Sequence, residues 1–180
     1  SSAASDVYKR QFINRAFLRH QTDDYYGAMS DYDYAVQLDP LNSVALYNRA
    51  LLRAEVHDYN RAIDDLNQVI ALHPNDYRTL YNRSIVFKEK GDYKDALKDV
   101  NKVIEAYPDL AAAYFLRFDI KRLMGDRSAE KDYNHSLALA KQRVKKKTDS
   151  TSGNDTQIGS MADVFGPGIG NPSGDDSEPQ

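Results

Sequence analysis

An all-α array of stacked helical hairpins is the fold this sequence predicts, and three observations predict it. The first is a 34-residue period: Pro40, Pro74 and Pro108 keep it, as do Tyr25, Tyr59 and Tyr93, and Ala28, Ala62 and Ala96. Asp24, Asp58, Asp92 and Asp126 hold it across four copies, and so do Arg15, Arg49, Arg83 and Arg117. The second is helical spacing of apolar residues inside each period, broken by turn residues at fixed offsets. The third is length. A hairpin this short cannot bury its apolar face alone, so copies must stack to share a core.

The copies run over about 9–42, 43–76, 77–110 and 111–144, within a folded region at 12–147. Residues 1–11, "SSAASDVYKRQ", resemble a translated sequencing-adapter or assembly scar and stand where the first helix should begin. They are set aside as such, and the natural chain is expected to extend upstream. The second copy shows the plan. "SVALYNRALLRAEV" (43–56) forms helix A, and His57-Asp58-Tyr59 interrupts it. "DYNRAIDDLNQVIAL" (58–72) forms helix B, with Tyr59, Ala62, Ile63, Leu66, Val69 and Ile70 on one face. His73-Pro74-Asn75-Asp76 then ends the helix, since Pro cannot continue it. The Asp of each hairpin turn is placed to cap helix B and complement its dipole. Ala16, Ala50 and Ser84 on helix A, with Ala28, Ala62 and Ala96 on helix B, let the two helices approach closely. The fourth copy departs: Phe118 replaces the small residue, and helix B runs on toward Val144 without a closing Pro, as a terminal capping unit would.

These small positions, the turn aromatic and the closing Pro resemble the tetratricopeptide repeat, over about three quarters of the chain. The resemblance implies a right-handed superhelical solenoid whose A helices line a concave groove, a common seat for extended peptides. One departure is systematic. Arg15, Arg49, Arg83 and Arg117 occupy the middle of helix A, where the family usually has an aliphatic residue. Asp31, Asp65 and Asp99 follow the first three by sixteen residues, and Asp132 follows the fourth by fifteen. Their joint recurrence is read as a structural ion pair inside each hairpin rather than an anion-binding ladder, because a buried charge is tolerated mainly when paired.

Composition narrows the chemistry. The chain has no Cys, so disulfides and thiolate metal sites are excluded. That fits a reducing compartment without requiring one, so neither cytoplasm nor export is assigned. The net charge of −3 hides an asymmetry: residues 148–180 carry six acidic groups and no Lys or Arg, leaving 24 basic against 21 acidic elsewhere. That balance is too mild for a nucleic-acid partner. The longest apolar stretch, "LAAAYFL" at 110–116, is too short for membrane insertion. His20, His57, His73 and His135 show no metal-ligand spacing, and no phosphate loop or nucleophile motif is present. The expectation is a non-enzymatic chain with no cofactor and no metal. Lys141, Arg143, Lys145, Lys146 and Lys147 are read as cations at a helix C-terminus. Residues 148–180 are expected to be disordered, with Met161, Val164 and Phe165 an incidental apolar island.

The face expected to bind comprises Val44, Tyr47, Asn48 and Leu51; Arg78, Tyr81, Asn82, Ile85 and Lys88; and Phe115, Asp119 and Arg122. Ala112 completes the spacing on the last A helix. Tyr47, Tyr81 and Phe115 form an aromatic column beside Asn14, Asn48 and Asn82, a combination that offers apolar area and backbone hydrogen bonds together. The competing reading is that the two Tyr cover neighbouring helices while Asn serves local hydrogen bonds. A carboxylate clamp of the family's chaperone-binding kind is not expected. Asn48 and Arg78 match it, but Ile13, Phe17 and Asn82 do not. The chain thus reads as a scaffold for a protein or peptide partner, or alternatively as a structural spacer of a longer array. An N-terminal edge without a visible cap favours self-association.

Overall fold

The computed structural model describes residues 2–150, with side chains for 6–145. Eight α-helices and no strand occur among the described residues. They are α1 (Ser2–Gln21), α2 (Tyr25–Leu38), α3 (Ser43–Glu55), α4 (Tyr59–Leu72), α5 (Tyr77–Lys90), α6 (Tyr93–Ala106), α7 (Ala111–Leu123) and α8 (Ala129–Ser150). Odd-numbered helices are the A helices and even-numbered ones the B helices. Contacts divide the chain within α5, one unit ending at Thr79 and the other beginning at Leu80. Helix α1 runs back through the segment set aside as a scar, and α8 runs three residues past the expected boundary at 147. The remaining stretch expected to be disordered, with its apolar island, lies outside the described residues.

Two turns repeat. Between A and B helices the chain enters the left-handed region once per copy, at Asp23 (φ 61°), His57 (φ 64°), Gly91 (φ 94°) and Gly125 (φ 73°). The first two carry a side chain there, and a neighbouring Tyr hydroxyl meets it: Tyr25 donates to Asp23 at 3.2 Å, and Tyr59 pairs with His57 at 2.7 Å. Between B and A helices a β-turn carries Pro as its second residue, and the fourth residue's N–H closes onto the first residue's carbonyl. These closures are Asn42 to Asp39, Asp76 to His73 and Leu110 to Tyr107, at 3.0–3.1 Å. The residue before each Pro leaves the helical region, so the helix stops there.

The helix-B caps differ from expectation. Asp24 accepts from Gly27 N at 3.0 Å, but Asp58 and Asp92 make no side-chain cap bond. A Cβ on Gly27 would collide with the Asp24 carboxylate, and the next two copies carry Arg61 and Asp95 at that place. Nearby cations take the freed carboxylates instead: Arg61 holds Asp58 at 2.6 Å and Lys90 holds Asp92 at 2.7 Å.

In the first unit Ile13, Ala16, Ala28, Tyr32, Ala35, Ala45 and Leu52 form one buried cluster, with Phe12, Met29 and Val36 packed against it. It joins α1, α2 and α3, so the second hairpin's A helix completes the first hairpin's core. Tyr32 is the largest fully buried side chain, and burial pushes its phenol well above the ordinary range. In the second unit Val86, Ala96, Val100, Val103, Ala113, Leu116 and Ile120 are buried between α5, α6 and α7. The small positions behave as packing demands. Ala16, Ala50, Ser84, Ala28, Ala62 and Ala96 are all fully buried, and the Ser84 hydroxyl donates to Ala96 O at 2.8 Å.

Candidate functional site

Each hairpin pairs an Arg in the middle of its A helix with a buried Asp on its B helix. Arg15 meets Asp31 through Nε (2.8 Å) and Nη2 (2.7 Å), and Arg49 meets Asp65 the same way at 3.0 and 2.7 Å. Arg83 and Asp99 make the bidentate pair at 2.6 and 2.8 Å, Arg117 and Asp132 at 2.9 and 2.6 Å. Planar forks of this kind satisfy a buried carboxylate at both oxygens. The four Asp are buried, while the Arg side chains range from half-exposed to nearly covered.

Sequence reasoning missed two further layers of this network. One turn after three of the four Arg comes a second cation on the same Asp: Arg19 on Asp31 (2.9 Å), Arg53 on Asp65 (2.7 Å) and Lys121 on Asp132 (2.8 Å). Phe87 takes that place in the third copy, and the Arg83 guanidinium lies over its ring at 5.6 Å. The other layer reaches back to the preceding B helix, where Arg49 Nη1 donates to Asp33 and Arg117 Nη1 to Asn101, both at 2.9 Å. The signal was there: Arg19, Arg53 and Lys121, like Asp33 and Asn101, keep the repeat's register. Burial pulls Asp132 upward, but hydrogen bonds from Arg117 and Lys121 prevail and hold its carboxyl below the ordinary range.

The expected binding face is only partly open. In the first unit Tyr47 is 5% exposed, and burial pushes its phenol up to about 12. Asn48 is buried as well, its amide donating to Val44 O at 3.0 Å within its own helix. These two residues therefore do not present the surface their spacing implied. Asp76, just before α5, and Arg78, in its first turn, act on the Tyr47 phenol. Val44, Leu51 and Arg78 are half-buried. Asn14 keeps a buried carbonyl oxygen with no partner among the described residues, so it too offers little to a ligand.

The second unit is more open. Tyr81 on α5 donates to Ala112 O on α7 at 3.5 Å, and Lys88 Nζ on α5 lies 3.9 Å from Asp119 on α7. Seven residues separate the two contacts on both helices, so these A helices run parallel, side by side. Phe115 on α7 is 47% exposed, its ring 5.7 Å from Phe118 and 6.5 Å from Tyr133 on α8. Arg122 holds Asp119 at 3.3 Å and lies over Phe118. Asn82 and Ile85 are half-buried on the same helix as Tyr81. The result is an exposed aromatic ring on the same helix as the Asp119–Arg122 pair, which Lys88 of α5 approaches.

The histidines serve local contacts. His20 meets Glu55 at 2.6 Å, His73 meets the Ser43 hydroxyl at 2.8 Å, and His135 packs edge-on to Tyr114. No cluster of His, Asp and Glu suited to a metal, and no helix long and apolar enough to cross a membrane, occurs among the described residues. Lys141, Arg143 and Lys145 are exposed along α8, where Arg143 and Leu139 border a 440 Å³ cleft opposite Tyr107 and Pro108.

Residues 44–76 match a family model described as the tetratricopeptide repeat, and residues 77–110 match a second model of the same description. Residues 44–110 are tetratricopeptide repeats. The matched stretches are the second and third hairpins; the first and fourth repeat their turns and Arg–Asp geometry. No curated protein matches the chain by sequence. Solved structures match its fold. MamA from Desulfovibrio magneticus RS-1 superposes with TM-score 0.70 at 15% identity, over 79% of this chain and 78% of MamA. PilF of Pseudomonas aeruginosa gives 0.65 at 17% identity, over 77% of this chain and 64% of PilF. The first tetratricopeptide domain of Spaghetti (RPAP3), bound to the HSP90 peptide SRMEEVD, gives 0.61 at 20% identity, over 66% of this chain and 94% of that one.

Proposed function

We propose that this chain is a non-enzymatic interaction scaffold that holds an extended segment of a partner protein. The observation that carries this reading is the ring of Phe115 on α7, 47% exposed beside Phe118 and Tyr133, on a helix whose Asp119 and Arg122 are paired and which Tyr81 and Lys88 of α5 approach. An exposed ring gives a partner's apolar side chain large contact area at low entropic cost, and Tyr and Arg are residue types in which binding energy concentrates. Lys88 and Arg122 against Asp119 give the rim mixed charge, which suits a peptide better than a polyanion. That a protein of the same fold holds a peptide, the HSP90 segment on RPAP3, supports the reading. Ile13 and Asn48 are buried here, so a carboxylate clamp built on those positions is not part of it.

The test is selection of peptides on the wild-type chain by phage display, followed by calorimetric titration of the winners. Phe115→Ala with Arg122→Glu, both at exposed positions, should weaken them at least tenfold, about 1.4 kcal/mol. Peptides that bind wild type and variant equally would overturn the assignment. The burial of Tyr47 and Asn48 favours a second reading for the first unit, that of a structural spacer in a longer array. On that reading no selected peptide contacts α1 or α3.

A further inference from the structure

We infer that the segment Met161–Phe165 folds back onto the cleft between α8 and the α6–α7 turn of its own chain, with Phe165 filling it. The cleft arises because α8 does not stop where the other B helices do. Seven residues after the buried Asp31, Asp65 and Asp99 come Leu38, Leu72 and Ala106, the last residues of α2, α4 and α6. Leu139 holds that place in α8. In the first three copies Pro follows two residues later; Lys141 stands there instead, and α8 runs on to Ser150. The overrun passes beside the turn that ends α6, so that Leu139, Gln142 and Arg143 face Tyr107, Pro108 and Leu110 across a 440 Å³ cleft.

The lining defines the chemistry of an occupant. Leu139 and Tyr107 are half-buried and Pro108 is exposed, so the cleft offers apolar surface. Its volume lies within the range of about 300–1,000 Å³ typical of clefts that hold a small ligand. Charge on the α8 side is basic. Lys146 and Lys147 follow Gln142 and Arg143 by one turn, and Lys141 and Lys145 are exposed on the same overrun. Asp109 is the one carboxylate among the described lining residues. An aromatic or aliphatic side chain next to an acidic group suits such a surface.

Residues 151–180 follow α8 directly and contain no Lys or Arg. Phe165 is their sole aromatic residue, and Met161, Val164 and Phe165 surround Asp163. The apolar island that composition alone marks as incidental thus has both groups the cleft selects. The tether favours it over a separate partner. Eleven residues lead from Ser150 to Met161, a stretch that reaches at most about 36–40 Å and averages roughly 18 Å end to end. Returning along α8 from Ser150 to Gln142 takes about 12 Å, well inside that reach. So short a contact buries far less than the about 1,200 Å² at which stable interfaces between separate molecules begin. A short flexible linker raises the local concentration to about the millimolar range, which a weak contact needs.

Paramagnetic NMR on the full chain tests this. The chain has no Cys, so Ala162→Cys takes a single nitroxide label. The label should broaden the amide signals of Tyr107, Asp109, Leu110, Gln142 and Arg143. Adding Phe165→Ser should relieve that broadening, and Arg143→Glu, at an exposed position, should relieve it in part. If Arg143→Glu loses helix content by circular dichroism, Gln142→Glu takes its place. No broadening at the cleft overturns the inference. Equal broadening with and without Phe165→Ser overturns it as well, since the tether alone would then account for the effect. Broadening centred on Phe115 would assign the segment to α7 instead. Labelled chain mixed with unlabelled, isotope-enriched chain should leave the latter's signals sharp; broadening there would assign the segment to a second copy and overturn the inference too.

Discussion

Replacing Asp65 by Ala should be among the most damaging single changes in the first unit. Its carboxylate is 1% exposed and accepts three hydrogen bonds, two from Arg49 and one from Arg53, at 2.7–3.0 Å. Both Arg side chains are 12% exposed. Without Asp65 two guanidinium groups remain largely out of water and share one carboxylate, the half-exposed Asp33. Breaking a buried pair from one side is destabilising by about 3–5 kcal/mol. In urea, with a slope near 2 kcal/mol per molar, the midpoint followed by circular dichroism should fall by about 1.5–2.5 M. Asp31→Ala is the control. Arg15 and Arg19 are 53% and 36% exposed, so water can replace the lost carboxylate and the loss should be nearer 1–2 kcal/mol, roughly. The triple change Asp65→Leu, Arg49→Met, Arg53→Leu removes all three charges and should recover most of the stability lost by Asp65→Ala. A loss below about 0.5 kcal/mol for Asp65→Ala, or equal losses at Asp65 and Asp31, would refute the claim that burial of the cation pair sets the magnitude.

Three further changes probe other parts of the fold. The Asp132 carboxyl is held below its ordinary value of 3.8, so its contribution is present above that value and is lost as pH falls through the lower folded one. Lys121→Met removes one of the two cations, so an acid titration followed by circular dichroism should show the loss beginning at higher pH than in wild type. Gly91→Ala puts a side chain at φ 94° and should destabilise by about 1 kcal/mol in urea, although its Cβ would meet no neighbouring atom. Gly27→Ala drives a Cβ into the Asp24 carboxylate and should remove its cap, at about 1 kcal/mol; the same change combined with Asp24→Ala should add little.

Much of this could be read from residue order. The period located the hairpins, and the β-turns around Pro40, Pro74 and Pro108 follow from local rules, since Pro constrains itself and the residue before it. The small residues at Ala28, Ala62 and Ala96 announced close helix pairs because nothing larger fits there. The caps were legible only in part. Asp at the turn is a local signal, but whether its carboxylate reaches the backbone depends on what stands three residues later and which cation competes.

Residue order was sufficient wherever the cause lies within one hairpin, because a repeated spacing brings the same two side chains together each time. It was insufficient wherever the cause is the neighbouring hairpin. Tyr47 and Phe115 occupy the same register, yet one is buried and the other half-open; Leu18 and Leu52 are alike in type and opposite in exposure. Burial depends on which other helices lie alongside, and that differs from one hairpin to the next among the described residues. The second cations on Asp31, Asp65 and Asp132 are a mixed case. Their register is visible in the chain, but only the packed helices show that Arg19, Arg53 and Lys121 turn inward to the same carboxylate.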